Sequence, residues 1–546
     1  MSKKFDIVIA GSGIYGTILG TILAKNGLRV KIIELGKHPR FALGEAMLPQ
    51  SALWPFIIGE YFQIPEIQHL SHADRIIENI TKTCGIKHSI GFAYHQENQK
   101  IESKKIHQLI PPHMPFYSEG HLLREDIDHY LLKTAINYGC EYAEETQIID
   151  VNIDDVKVTI QTNKETITTS YFVDSSGKNS LLAIKEDLRI QNEDLMTDSR
   201  CIFTHVEGLK PFDQQLNAIE HPNQTKKLHH GTLHHVFNGG WMWVIPFDNH
   251  EKSQSKLSSV GIVLDRNVHP ENTSLSPEEE FFSFVETFPS VKEHFKNIKP
   301  IREFIRTQRL QYSARQSVGN RYMLANNTFG FIDPLYSNGL VHCFESIFSA
   351  ANLLLKASNK EGGLSNKSNT DATNFESINT LHLEQIAQAD EMVSNAYKAT
   401  ASFETWNAWT QFWLAQVLFH DLWIQRACFK YFETGKTNSF EHFLAESRPG
   451  ANAPFITDKN KLLKEITILL TKFNNKEITS ESSATEILKL LEKQSWLPMD
   501  SYQWGNVNSR HVDFSKMENA QKLLGWGFTK APEHLKNQLF DFKLPG

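Results

Sequence analysis

The sequence predicts an α/β protein, with a Rossmann-type domain at the N-terminus and a mostly helical region at the C-terminus. Three observations carry this expectation. Residues 5–10, Phe-Asp-Ile-Val-Ile-Ala, form an apolar strand that ends at Gly11-Ser-Gly-Ile-Tyr-Gly16. A helical pattern follows to Asn26 and is closed by Gly27, after which Arg29-Val-Lys-Ile-Ile-Glu34 gives a second strand. Far downstream, residues 378–398 and 403–432 carry apolar side chains at helical spacing, and Trp406, Trp409 and Trp413 mark one face.

The first segment is a βαβ unit, which requires parallel strands. Gly11 permits the tight turn, Gly13 lets the backbone approach a pyrophosphate, and Gly16 allows close helix–strand packing. Ile14 and Tyr15 lie between them in the first helical turn, whose free N–H groups attract an anion. Glu34 ends the second strand, at the place where a carboxylate accepts from ribose hydroxyls. These residues predict a dinucleotide site.

The chain has 546 residues, enough for two or three cores. Its net charge of -7 offers no basic excess for a nucleic-acid partner. Cys84, Cys140, Cys201, Cys343 and Cys428 are scattered and form no CxxC pair, which predicts reduced thiols and a cytoplasmic location. Met1-Ser-Lys-Lys runs directly into the first strand and leaves no room for a signal peptide. No uninterrupted apolar run is expected to span a membrane. The aromatic stretch 403–432 is broken by Asn407, Gln411, Gln416, His420 and Asp421.

Five further motifs follow in order. They are Leu123-Arg124-Glu-Asp-Ile-Asp128, Val173-Asp174-Ser-Ser-Gly177-Lys-Asn-Ser, Trp241-Met-Trp243-Val-Ile-Pro246, Phe329-Gly-Phe331-Ile-Asp333, and Phe331-Ile-Asp-Pro-Leu-Tyr-Ser-Asn-Gly339. The third fits WxWxIP and the last FxxPxxSxG. Downstream of the glycine turn, this series resembles the flavin-dependent halogenases over roughly residues 1–355. Taken singly, Arg124 reads as a surface ion pair, and Asp174 and Asp333 as turn formers.

The resemblance implies FAD as the nucleotide, with Arg124 near the cofactor and Asp333 at its ribityl chain. It also implies a mixed β-sheet inserted in the FAD domain. Reduced flavin, O2 and chloride or bromide would give hypohalous acid, which travels through a tunnel to an aromatic substrate. Ser337, Asn338 and Gly339 would hold the halide; Asn338 departs from the threonine frequent there, and the segment also reads as a helix N-cap. Trp241 and Trp243 would line the passage; unaided, indoles at i and i+2 read as core. Lys87 would be the catalytic lysine, with Lys82 as its rival. Tyr336 stands where tryptophan halogenases carry a glutamate, which shifts the expected substrate toward phenols or pyrroles, unless Glu45 or His95 supplies the base. No second Gly-x-Gly-x-x-Gly opens a helix. Reduced flavin is therefore expected from a separate flavin reductase or from transient NAD(P)H contact. The substrate is expected free or tethered to a carrier protein.

His229, His230, His234 and His235 invite a metal reading, but adjacent strand residues face opposite ways and no carboxylate or cysteine sits among them, so no metal is expected. Residues 356–377, rich in Asn, Ser and Gly, read as a flexible linker between the 1–355 module and a helical region, 378–546. In that region the Trp406–Trp413 face reads as packing or as a roof over the substrate, and 460–472 and 482–493 as two more helices. Two other functions fit the residues: a monooxygenase acting without halide, and a non-catalytic FAD-binding pathway partner.

Overall fold

β1 (Lys4–Ala10) is apolar on both faces because both are covered. Ile7 and Ile9 pack into one buried cluster with Ile18 and Ile22, while Val8 and Ala10 pack into another. The strand lies between β2 (Val30–Ile33) and the Thr166–Asp174 strand and is parallel to both, at the centre of an eight-stranded sheet. α1 (Ile14–Lys25) connects β1 to β2, and Gly27 follows it in the left-handed region at φ 88°. The structure is a computed structural model and describes residues 4–112, 118–191, 194–216, 226–445 and 456–543.

The second sheet has nine strands and is mixed. Its centre is antiparallel, formed by the strands Thr232–Phe237, Gly240–Pro246 and Leu257–Asp265. Ile90–Tyr94 runs parallel to Thr232–Phe237, and Ile106–Ile110 extends the sheet beyond it. Trp241 and Trp243 share one face, with ring centroids 5.9 Å apart. Opposite Trp243 in the register stands Gly261, where a Cβ would lie 2.2 Å from the indole. Trp243 therefore lies flat across the neighbouring strand only because residue 261 has no side chain. A separate two-stranded ribbon pairs Gly85–Lys87 with Glu119–His121.

The four C-terminal helices read from periodicity are present as Glu376–Ala399, Phe403–Thr434, Ile456–Asn474 and Ser480–Glu492. Ser402 Oγ accepts from Thr405 N to start the second, and Gly435 at φ 67° ends it. Two more helices, Met517–Thr529 and Glu533–Leu539, follow a short strand, His511–Asp513, which adds to the mixed sheet beside Ile106–Ile110. One buried cluster runs from Ile7 to Phe540. Within residues 356–377, expected as a flexible linker, three 3-10 turns bury Leu364 and Phe375, and Arg321 donates to the carbonyls of Leu364 and Ser365.

One stretch among the described residues, Leu335–Ser358, is long and apolar enough to cross a membrane, where none was expected. It packs as a core helix, with 67% of its most apolar window buried.

Gly261→Val should lower stability by about 1–3 kcal/mol, the usual penalty for overpacking a filled core. Urea denaturation checks this; an unchanged midpoint would show that Trp243 has another place to lie.

Candidate active site

The glycine turn is held by backbone contacts. Gly11 has φ 96°, and a Cβ there would lie 2.5 Å from Ser175 O; one on Gly16 would lie 2.0 Å from Gly11 O. Gly13 is different. A Cβ there would meet only the guanidinium nitrogens of Arg40 and Arg124, at 3.8 and 4.0 Å. The space above Gly13 is thus an open cradle, with two cations over the N-terminus of α1, which no side chain caps. That arrangement suits a pyrophosphate. The side chains of Ile14 and Tyr15 are buried, and Ser346 Oγ donates to the Tyr15 hydroxyl, so the helix offers a ligand its backbone N–H groups here.

Glu34 reaches back under the turn. Its carboxylate accepts from Ser12 N at 3.0 Å, Ser12 Oγ at 2.7 Å, Gly36 N at 3.0 Å and Arg40 at 3.2 Å. Burial alone would raise its pKa, but Arg40 and the backbone donors hold it below the usual carboxylate range. Arg124 opens the Arg124–Asn137 helix and makes a two-pronged pair with Asp128, at 2.8 and 3.0 Å. It also donates to Leu43 O. Asp174 shapes its own turn by accepting from Ser176 N and from Ser180 Oγ.

Arg124 and Glu45 lie on the wall of a cavity of about 380 Å³, which continues past Trp241, Trp243 and His234 to Asp333, Ser337 and Gly339. The cofactor end, the two indoles and the FxxPxxSxG turn therefore share one space. Asp333 accepts from Ser199 Oγ at 2.6 Å, from the Tyr397 hydroxyl at 3.0 Å and from Leu335 N at 3.0 Å. Burial pushes its carboxyl up to about 6.

The turn after Pro334 is strained. Tyr336 and Ser337 are successive non-glycine residues in the left-handed region, at φ 72° and 55°. The Gly339–Ser358 helix starts there without a side-chain cap, and a Cβ on Gly339 would meet nothing within 4 Å. Uncapped N–H groups beside open space suit a small anion. Tyr336 is buried, its ring stacked on Trp413 at 4.8 Å and its hydroxyl accepting from Trp409 Nε1 at 2.7 Å. Burial pushes its phenol well above the ordinary range, so it stays neutral.

Lys87 and its rival separate by exposure. Lys82 is exposed, whereas Lys87 is 1% exposed. The Lys87 ammonium donates to Met47 O. Glu119, itself buried, stands directly opposite Lys87 in the two-stranded ribbon. Burial pulls the lysine down from its usual range and pushes the glutamate up, while their mutual attraction opposes both shifts. Burial, and to a lesser degree the Lys87 ammonium, disfavours the cationic forms of His234 and His121.

The other candidates fall in separate places. Glu45 is on the cavity wall and bonds His205 Nε2 at 2.7 Å, both groups being buried. His95 lies elsewhere, in a buried chain with His235 at 2.9 Å and, through it, His294 at 3.2 Å. Within the four-histidine run, His234 lines the cavity and stacks on Phe92, while His235 joins that chain. Among the described residues no three His, Cys, Asp or Glu side chains are grouped as metal ligands. Sequence reasoning missed Glu119, Arg40, Tyr397 and Ser199. Arg40 alone had a local signal, a cation six residues after Glu34.

No family model matches the chain. It is 32% identical to the monodechloroaminopyrrolnitrin halogenase PrnC of Pseudomonas fluorescens, over 99% of this chain and 94% of that protein. The tetracycline 7-halogenase of Kitasatospora aureofaciens is 30% identical, over 94% of this chain and 90% of that one. The chain belongs to the flavin-dependent halogenases. In structure the halogenase resembles PltM, solved with phloroglucinol and FAD, with a TM-score of 0.86 and 30% identity over 93% of this chain and 99% of that one. It is therefore an FAD-dependent halogenating oxidoreductase that uses reduced FAD, O2 and halide.

Gly13→Val should abolish FAD binding while leaving the fold intact, since the added methyls enter the open cradle and not the core. Flavin fluorescence titration beside circular dichroism tests this. Undiminished FAD affinity would remove Gly13 from the site.

Proposed function

We propose that this halogenase chlorinates or brominates an electron-rich phenolic or pyrrolic precursor, in the cytosol, with reduced flavin delivered by a separate reductase. The observation that carries the reading is the buried Lys87 ammonium, facing Glu119 within the protein, in a chain whose WxWxIP and FxxPxxSxG segments share one cavity. The five cysteines are all free and buried, which supports a reducing compartment.

FAD would sit with its pyrophosphate over Gly13, between Arg40 and Arg124, with Glu34 and Asp333 at its flanks. Bound in reduced form with O2, it supplies the two-electron oxidation that converts halide to hypohalous acid. The Ser337–Gly339 turn holds the halide by backbone N–H groups. Trp241 and Trp243 wall the passage and keep the aromatic substrate from the cofactor. Lys87 donates a hydrogen bond to the oxygen of hypohalous acid, which draws electrons from the halogen and makes it electrophilic. The ring carbon then bonds to halogen as the oxygen–halogen bond breaks; the departing hydroxide and the ring proton leave as water.

Tyr336 bears on the substrate. Its hydroxyl accepts from Trp409 and its phenol stays neutral, so it is no base. A phenol, activated by its own proton loss, or an electron-rich pyrrole asks less of the site than an indole. PltM was solved with phloroglucinol, a phenol, which favours the same class.

The test is incubation with a generic flavin reductase, NADH, O2, bromide, a panel of phenols and a carrier-bound pyrrole, read by mass spectrometry. Brominated product is expected. Lys87→Ala should retain FAD binding and oxygen consumption but halogenate about a hundredfold more slowly. Lys87→Arg should also fail, because its planar fork does not fit the same volume. Near wild-type halogenation by Lys87→Ala would overturn the assignment.

Glu119→Gln should shift the pH profile. Halogenation requires the Lys87 ammonium, so activity is present below the lysine's pKa and lost as pH rises through it. Glu119 raises that pKa, and removing its charge lowers it. The alkaline limb should then move to lower pH by about one unit, equivalent to roughly 1.4 kcal/mol of lost attraction. An alkaline limb that stays in place would separate Glu119 from the reaction.

A further inference from the structure

The cavity wall that carries Trp241 and Trp243 also carries Thr232 and His234. Alternate residues of the Thr232–Phe237 strand face the same way, and His234 stands opposite Trp243 in the register. Its ring packs against Phe92, at 4.7 Å, and Trp241, at 5.5 Å. Lys87 stands next to this wall: its ammonium bonds the carbonyl of Met47, the residue after Ala46 on the cavity lining.

The hydrogen bonds fix where the protons are. His234 Nδ1 lies 3.0 Å from Gly91 O. A carbonyl only accepts, so Nδ1 carries the proton, and burial keeps the ring neutral by pulling its pKa down to about 3. Nε2 is then a bare acceptor, and it meets no donor among the described residues. Thr232 follows the same logic one step removed. His121 Nδ1 lies 2.8 Å from the carbonyl of Pro246, at the end of the WxWxIP strand, and burial holds this ring neutral too, so its Nε2 accepts. Thr232 Oγ1, 3.0 Å from that Nε2, donates to it. The hydroxyl's one proton is thereby committed, and its lone pairs are left over. Two neighbouring positions on the cavity wall therefore present acceptors and no donor.

We propose that Thr232 and His234 form a run of acceptors that passes hypohalous acid along the cavity to Lys87 and turns halide away. The proposal rests on the reading of Lys87 as the group that holds hypohalous acid. The acid has one O–H to donate. His234 Nε2 accepts it, which leaves the oxygen's lone pairs for the Lys87 ammonium. Chloride, bromide and hypohalite have no proton to give, and bare lone pairs repel them. Without that repulsion a buried ammonium would attract any anion that entered. No bond is made or broken on the run.

Neutron diffraction from crystals of the full chain in D2O tests the proton positions. Deuterium is expected on His234 Nδ1 and not on Nε2, with the Thr232 deuteron directed at His121. Deuterium on His234 Nε2, or a Thr232 deuteron turned into the cavity, overturns the run. Anomalous scattering from wild-type crystals soaked in bromide should show none at Lys87 Nζ, and bromide there also overturns it. Turnover tests its use. With a flavin reductase, NADH, O2, bromide, a phenol and excess monochlorodimedone to catch free hypobromous acid, the wild type should place most of the O2 it consumes into brominated phenol. In His234→Phe, which keeps a ring against Phe92 and Trp241, brominated phenol per O2 should fall about tenfold, with the balance recovered as brominated scavenger. His234→Gln, whose amide oxygen reaches the place of Nε2, should restore most of the coupling. An unchanged ratio in a folded His234→Phe overturns the proposal, as does a fall that His234→Gln leaves in place. If His234→Phe misfolds by thermal melting, His234→Leu replaces it. A wild type that brominates neither phenol nor scavenger overturns the functional reading and this proposal with it, whereas wild-type turnover with full coupling in the variant overturns the proposal alone.

Discussion

The turn at Tyr336 and Ser337 is the constraint on which the site depends. Two consecutive L-residues in the left-handed region cost on the order of 1–3 kcal/mol each, and the surroundings must hold them there. They do so through Trp413, stacked on the Tyr336 ring, and Trp409, bonded to its hydroxyl, both from the Phe403–Thr434 helix. Asp333, three residues earlier, is bonded to Tyr397 from the preceding helix and to Ser199 from the mixed sheet. The mixed sheet and the C-terminal helices thus meet within a few residues of the chain. The C-terminal region is part of the turn's framework, because its helix supplies the ring and the hydrogen-bond donor that hold Tyr336.

The second organising effect is the burial of charge. Lys87 and Glu119 come from opposite strands of a two-stranded ribbon and are both nearly inaccessible. Opposite charges buried this way are a poor source of stability, since desolvation consumes most of their attraction. On the reading proposed above their use is chemical: in low-dielectric surroundings one hydrogen bond from an ammonium polarises its acceptor far more than it would in water.

What the sequence revealed was local. Gly11, Gly13, Gly16 and Glu34 lie in one βαβ unit, so their spacing alone brings them together. Trp241 and Trp243 share a face by strand alternation, and the C-terminal helices follow from period. What stayed hidden was set by pairing between distant segments. Glu119 is 32 positions from Lys87 and meets it only through an antiparallel register that neither short strand announces. His511–Asp513 is too short to show alternation. Residues 357–375 look flexible by composition, yet their polar side chains bond the nearby backbone, as Asn366 does to Ser368 N and Asp371 to Thr373 N. Composition does not distinguish a polar segment that satisfies its own backbone from one that leaves it to water.

The tyrosine at 336 ties these threads together. A glutamate in its place would need a partner for its charge, whereas a neutral phenol needs only one donor and an aromatic face. Trp409 and Trp413 supply both from adjacent turns of one helix. The aromatic face first legible as i, i+3, i+7 spacing is thus neither simple core nor simple roof: two of its members set the conformation of the turn proposed to hold the halide. On that reading, exchange of a base for a phenol changes two properties together. It removes a proton acceptor from the chemistry, which leaves activation to the substrate ring, and it recruits the C-terminal helix to fix the turn. A glutamate introduced at 336 alone would bury a carboxylate against two indoles with one N–H to meet its charge, at a cost in stability that the neutral phenol does not carry.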